Sequence, residues 1–227
     1  YRVADHTDAT RLFAVVGNPI GHSKSPAYHN GRFAEESIDA CYVPVLVDDM
    51  EPFVRLAERL PILGFSVTIP HKRAVMAYLS DAGDDVRAAD ACNTVLRIPT
   101  GWRGVNTDVI GFLAPLDEVL TAPLAGVRVL VLGAGGAARG VVYALASREA
   151  NVTVWNRTAS RARELVRELA TITGADSLSV LPPGSDGAPG EPPSVDIVVN
   201  TTSLGMHGEG DPAPWYRFAG HEIVYDI

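Results

Sequence analysis

The chain has 227 residues, enough for one large domain or two small ones. Its 47% hydrophobic and 20% charged residues are ordinary for a globular protein, and no apolar run approaches the roughly 20 residues of a membrane span. A net charge of −8, spread along the chain, argues against nonspecific nucleic-acid binding, which needs a basic surface to displace phosphate counterions. Neither nucleic acid nor a membrane is therefore an expected partner, and the sequence sets no oligomeric state. No basic-then-apolar leader is seen, and Cys41 and Cys92 lie in apolar contexts suited to buried thiols, so the expected compartment is the cytoplasm.

Leu12 to Val16 reads as a strand, followed by a loop with Gly17, Pro19 and Gly21 and a helix opened by Pro26. Ser25, just before that proline, is placed to cap the helix. A strand over Ala40 to Val47 and a helix from about Asp49 to Leu60 come next. The strand Gly64 to Thr68 stops at Pro70, and a helix is expected from about Lys72. Cys92 to Ile98 and Trp102 to Asn106 read as two strands joined by a turn at Pro99 to Gly101. This alternation predicts a mostly parallel sheet covered by helices. Asp108 to Leu120 has helical spacing and leads towards a second unit. There Val127 to Leu132 and Val152 to Trp155 read as strands, each followed by a helix, the second over Ala159 to Ala170. Twelve residues from Pro182 to Pro193 hold five prolines and three glycines, a composition expected of a mobile surface loop. Val195 to Val199 and Glu222 to Ile227 close the order as buried strands.

The clearest motif follows Leu132. Gly133-Ala134-Gly135-Gly136-Ala137-Ala138 is a G-x-G-x-x-A turn between a strand and a helix, the dinucleotide fingerprint. Gly133 permits the tight turn, Gly135 lets the backbone approach a pyrophosphate, and Ala138 permits close helix packing. The helix N-terminus then offers N–H groups to the phosphates. An NAD site usually carries an acidic residue at the end of the next strand, for the ribose 2′-hydroxyl. Here that position reads Asn156-Arg157-Thr158, with Arg161 one turn further. Arg157 can pair with a 2′-phosphate and Thr158 can donate to it, whereas a bare Arg at a helix start opposes the dipole. NADP is the expected cofactor.

The few cations are unevenly chosen: 17 arginines against two lysines, Lys24 and Lys72. Arginine stays protonated at any working pH, while lysine can be tuned to exchange a proton. Both lysines fall within motifs. Gly17-Asn18-Pro19-Ile20-Gly21-His22-Ser23-Lys24-Ser25-Pro26, Ser66-Val67-Thr68-Ile69-Pro70-His71-Lys72, Ala91-Cys92-Asn93-Thr94 and Asn106-Thr107-Asp108 come first. Gly133 to Arg139, Asn156-Arg157-Thr158 and Asn200-Thr201-Thr202-Ser203-Leu204-Gly205-Met206 follow. In this order, across nearly the whole chain, they resemble the shikimate dehydrogenase family.

The resemblance implies two α/β domains: an N-terminal substrate domain with a mostly parallel sheet, expected over 1–112, and a C-terminal Rossmann-type NADP-binding domain over 113–227. It implies a substrate bound in the cleft between them, and the NADP-dependent interconversion of shikimate and 3-dehydroshikimate in aromatic amino-acid (chorismate) biosynthesis. Ser23 and Ser25 would bind the substrate carboxylate, with Ser25 also capping its helix. Thr68, Lys72, Asn93 and Asp108 would surround the hydroxyls, and Tyr225 resembles a family tyrosine near the substrate. Thr201 and Met206 would join Gly133, Ala134, Gly135, Gly136, Ala137, Asn156, Arg157, Thr158 and Arg161 at the cofactor, although Met206 reads equally well as core. Removing a hydroxyl proton as hydride leaves carbon needs an acid/base, for which Lys72 is the natural group and Asp108 its partner. Which of the two holds the proton at each stage stays open, since a close pair titrates jointly. Asn93 and Asp108 also suit turn and helix-cap positions. His22, His29 and His71 show no metal-ligand pattern, so no metal is expected, and they are placed beside the site or at the surface.

The family pattern normally continues past the last strand, through helices that return to the first domain and carry a glutamine that touches substrate. The expectation is that this sequence, starting at Tyr1 and ending at Ile227, is part of a longer chain, and the stretch before Leu12 fits the second half of a fusion with dehydroquinate dehydratase. The alternatives within reach are a quinate/shikimate dehydrogenase and a non-catalytic NADP-binding relative.

Overall fold

The computed structural model describes residues 7, 9–182, 189–190, 194–205 and 210–227. The chain divides into two compact units, Tyr1–Thr107 and Asp108–Ile227. The division precedes the expected 112/113 boundary because the helix there runs unbroken from Thr107 to Val119.

Unit 1 is built on β1 (Arg11–Gly17), β2 (Ala40–Leu46), β3 (Ile62–Val67), β4 (Asp81–Ala82), β5 (Thr94–Ile98) and β6 (Gly101–Val105), in the order β2-β1-β3-β5-β6-β4. β1 pairs in parallel with both neighbours, and β5 alone runs against the rest. The central strands are apolar on both faces because both are covered. Ala14 and Val16 of β1 face a core with Phe65, Val67 and the stripe Met50, Phe53, Val54 and Ala57 of helix α2 (Met50–Arg59). Phe13 and Val15 face Ile20, Phe33 and Tyr42 on the side of helix α1 (Ser25–Glu35). The α2 stripe recurs at helical spacing, and the Asp49 side chain caps it by accepting from the Glu51 N–H at 3.1 Å. Arg97 reaches from β5 to the carbonyls of Ala57, Leu60 and Ile62, and so ties the end of α2 to the start of β3.

Three local expectations change. Ser25 does not cap α1: it is already helical, Lys24 holds the cap position without a side-chain bond, and Ser23 Oγ accepts from the Ser25 N–H at 3.4 Å. No α-helix begins at Lys72. The Lys72 carbonyl, which an α-helix would offer to Met76, instead accepts from the Cys92 N–H at 2.8 Å. Met76 bonds Arg73 three residues back, and Ala74–Tyr78 is a 3-10 helix. Finally, β4 and helix α3 (Asp84–Ala89) occupy a stretch to which the sequence pattern assigned no element.

Unit 2 opens with helix α4 (Thr107–Val119) and continues through β7 (Arg128–Leu132), α5 (Gly136–Ala146), β8 (Asn151–Trp155), α6 (Ala159–Thr173), β9 (Leu178–Val180), β10 (Ile197–Asn200) and β11 (Ile223–Asp226). Its sheet is wholly parallel, in the order β11-β10-β7-β8-β9. This is the doubly wound order of a Rossmann-type sheet, and its direction of winding reverses between β7 and β10. All four β10 residues are buried, whereas β11 is an edge strand with Val224 59% exposed, so the expectation of a buried last strand is corrected. Most of Pro182 to Pro193 lies outside the described residues. Among the described residues, no helix is long and apolar enough to cross a membrane.

Candidate active site

Ligands of open parallel sheets bind beyond the carboxyl ends of the strands where the winding reverses. In unit 2 that point lies at the ends of β7 and β10. Gly133 leaves β7 with φ +113°, a conformation that side-chain-bearing residues rarely adopt. A Cβ there would collide with Thr201 Oγ1. Thr201 itself donates twice to the Leu132 carbonyl, from N–H at 2.9 Å and from Oγ1 at 2.7 Å. The glycine therefore allows the turn to press against the end of β10. Gly135 and Gly136 do the opposite: a Cβ on either would meet nothing within 4 Å, and both are exposed with Ala137. They leave open space in front of α5, whose first-turn N–H groups have no intrahelical acceptor. Ala138 is fully buried, as close packing of α5 on the sheet requires.

The Gly133 N–H donates to the Trp155 carbonyl at 2.8 Å, which sets the end of β8 beside the glycine turn. There Asn156 Nδ2 donates to the Thr158 carbonyl at 3.0 Å and shapes the entry to α6. Arg157, Thr158 and Arg161 are exposed, α6 has no acidic residue in its first turn, and neither arginine forms an ion pair among the described residues. Two guanidinium groups, a hydroxyl and a helix N-terminus with no carboxylate fit a phosphate monoester. The fit to NADP thus rests on a cradle that a Cβ would fill and on cations placed where an NAD site needs an acid.

Asn200, at the end of β10, was not singled out from the sequence as a site residue. It is 6% exposed; its Oδ1 accepts from the Thr202 N–H and Oγ1, and its Nδ2 donates to the Leu204 carbonyl and Asp226. These bonds shape the Thr201–Gly205 turn. The available signal was a polar residue closing a four-residue apolar strand. Met206 lies outside the described residues. Asp108, exposed in the first turn of α4, lies four residues before Phe112, and Phe112 packs on Tyr225 at 5.2 Å between ring centroids. The i, i+4 spacing puts Asp108 and Phe112 on one face of α4, the face that Tyr225 meets.

In unit 1 the structure gathers Thr68, Lys72 and Asn93 where β3 ends and β5 begins. The Val67 N–H donates to the Asn93 carbonyl at 2.8 Å, and the Cys92 N–H to the Lys72 carbonyl. Asn93 is 8% exposed, and its Oδ1 accepts from Thr94 Oγ1 and from both the N–H and Oγ1 of Thr107. Lys72 and Thr68 are half-buried. Ser23 and Ser25 are bonded to one another in the β1–α1 connection, and none of the described hydrogen bonds ties them to Thr68. Ser23 also lines a cavity of about 780 Å³ with Ile20, Pro26, Phe33 and Cys41. Tyr42 and Ser66 form a further pair that the sequence reading missed: Tyr42 Oη donates to Ser66 Oγ at 2.7 Å. Burial pushes the Tyr42 phenol up and the neighbouring His29 imidazole down from their ordinary pKa values. The two rings stack 4.4 Å apart. His22 is exposed, whereas His71 is 5% exposed and bonded within the fold, not at the surface. Among the described residues, no group of three or more His, Cys, Asp or Glu could hold a metal ion.

Comparison with known proteins decides the family. Residues 15–95 match the model of the shikimate dehydrogenase substrate binding domain, and residues 117–183 that of shikimate / quinate 5-dehydrogenase. The chain is 38% identical over 208 residues to the shikimate dehydrogenase (NADP(+)) of Shouchella clausii strain KSM-K16, covering 90% of this chain and 74% of that protein. It belongs to the shikimate dehydrogenase family. Among solved structures, it resembles a shikimate dehydrogenase in complex with NADP+, with a TM-score of 0.82 and 31% identity over 97% of this chain and 77% of that one. It also resembles a family relative with another substrate, the quinate dehydrogenase of Corynebacterium glutamicum in complex with NAD. There the TM-score is 0.81 and the identity 25%, over 96% of this chain and 79% of that one.

Proposed function

We propose that this protein is an NADP-dependent shikimate dehydrogenase, which reversibly reduces 3-dehydroshikimate to shikimate in aromatic amino-acid biosynthesis. The observation that carries the reading is the convergence of Thr68, Lys72 and Asn93 at the ends of β3 and β5, a set of hydroxyl, ammonium and amide groups matched to a small polyol. Ser23 and Ser25 supply hydroxyl donors for the substrate carboxylate, and Tyr225 a further contact. Lys72 and Asp108 form the acid–base pair. In the oxidative direction, this pair takes the proton of the reacting hydroxyl as its carbon gives up hydride; in the reductive direction it returns the proton to the new alkoxide. Gly133 to Ala137 and Thr201 hold the dinucleotide, and Asn156, Arg157, Thr158 and Arg161 hold its 2′-phosphate. When bound, the nicotinamide ring supplies the hydride acceptor or donor. Both cysteines are free and buried, which suits a reducing compartment, and we place the enzyme in the cytoplasm.

The test is a four-way steady-state comparison of shikimate and quinate, each with NADP and NAD. The proposal expects the highest kcat/KM for shikimate with NADP. A higher value for quinate with NAD would replace it with the quinate branch, and no turnover with any pair would support a non-catalytic binder.

A further inference from the structure

The turn after β3 carries two residues with a role in the proposed reaction, Thr68 and Lys72, and His71 stands beside Lys72 between them with none. Its ring is buried, and Nε2 lies 2.7 Å from the carbonyl oxygen of Val47, just past the end of β2. A carbonyl only accepts, so Nε2 carries the proton and donates it. Because the strand order is β2-β1-β3, this bond reaches from beyond β3 to the end of β2, spanning the end of β1. β1 ends there in Gly17, where a Cβ would collide with Thr68 Cγ2 and lie 3.0 Å from the Ile69 carbonyl.

Main-chain bonds complete a ring through the same residues. The Val47 N–H donates to the Gly17 carbonyl at 3.2 Å, the Thr68 N–H to Val16 at 2.9 Å, and the His71 N–H to the Thr68 carbonyl at 2.9 Å. On the far side of His71, the Lys72 carbonyl takes the Cys92 N–H. The backbone from Thr68 to Lys72 is thus held from β1, from Cys92 ahead of β5 and, through a single side chain, from Val47 just past β2.

We propose that His71 is a positioning residue for the acid–base chemistry: its imidazole latches the Thr68–Lys72 turn to the end of β2 and fixes the backbone from which Lys72 reaches the substrate hydroxyl. This rests on the reading of Lys72 as part of the acid–base pair. The imidazole is committed to a buried carbonyl, so it acts through Lys72 and Thr68 and not on the reacting atoms. Proton transfer depends on sub-ångström placement of the base, and a displacement of about 1 Å is enough to cost about 100-fold in rate. A freed turn therefore lowers kcat more than it weakens binding.

The test compares His71→Phe, which keeps a ring and removes the donor, with His71→Gln, which keeps an N–H donor. For each, kcat, KM for shikimate, the Kd for NADP and the melting temperature are measured beside Lys72→Ala. The expected result for His71→Phe is a fall in kcat of about 10- to 100-fold, with the NADP Kd within about twofold of the parent, and recovery of most of kcat in His71→Gln. A purely structural role would lower the melting temperature of both variants and leave kcat per folded molecule unchanged, which overturns the proposal. So does a His71→Phe enzyme whose kcat stays within about twofold of the parent while Lys72→Ala is inactive. If His71→Phe does not fold, failure of His71→Gln to exceed His71→Ala in kcat overturns it equally. Full turnover by Lys72→Ala would instead defeat the acid–base reading itself.

Discussion

In unit 2 the features assigned to the cofactor sit in short stretches, Gly133 to Ala137 and Asn156 to Arg161, and much of what they offer is main chain. In unit 1 the side chains assigned to the substrate are drawn from Ser23, Ser25, Thr68, Lys72 and Asn93, far apart in sequence, and strand order and backbone bonds bring the last three together. A pyrophosphate is recognised by N–H groups that any sequence supplies once glycine permits the approach. A small polyol acid needs particular donors and acceptors at particular points, and these must be side chains held by the fold. The two units should therefore fail in different ways when altered.

The largest effect is expected in unit 1. Lys72→Ala should lower kcat by about 100- to 10,000-fold, the range for loss of a general acid/base, while the NADP Kd measured by fluorescence stays nearly unchanged. Turnover equal to the parent would mean that the acid–base assignment is wrong. In unit 2, Gly133→Ala should cost about 1–3 kcal/mol through its positive φ alone, before the collision with Thr201 is relieved. Calorimetry should show unit 2 destabilised together with weaker NADP binding. An unchanged melting temperature would show that the turn adapts.

A smaller effect separates the units by pH. The N–H of Ala219, then those of Glu222 itself and Gly220, hold the Glu222 carboxylate at a pKa of about 2, and the Arg128 guanidinium holds Asp196 at about 2. Both folded-state values lie below those of the unfolded chain, so both groups stabilise unit 2 fully above about pH 4.5. That contribution is lost as pH falls from about 4.5 through about 2. The Asp196 pair is exposed and salt-screened, so Glu222 should dominate. Glu222→Gln should flatten the melting temperature of unit 2 against pH over that window; a curve parallel to the parent's would show that the carboxylate adds nothing.

The two halves also differed in how much of them the sequence disclosed. The glycine turn and the missing acid after β8 were legible because they are local: a strand, a turn and a helix start adjoin in the chain. The longer strands and helices were legible from apolar periodicity. β4, α3, β9 and the 3-10 helix were not, because tertiary partners fix such short elements. The Lys72 carbonyl is taken by Cys92, and the Asn106 N–H by Asp85, bonds between residues about 20 apart that no window of sequence contains. His71 escaped for the same reason. Its neighbours announced a site, but its partner Val47 lies 24 residues away. Ser25 shows the converse: the helix starts one residue earlier than its proline suggests, so Ser25 is inside it and donates its N–H to Ser23 Oγ.

The sharpest test of the division of labour is the coenzyme preference of Arg157→Asp, read as kcat/KM for NADP over NAD at saturating shikimate. The ratio is expected to fall by about 10- to 100-fold or more, the worth of a charge-assisted bond replaced by repulsion, while KM for shikimate stays unchanged. An unchanged coenzyme ratio, or a loss that falls on shikimate instead, would contradict that division.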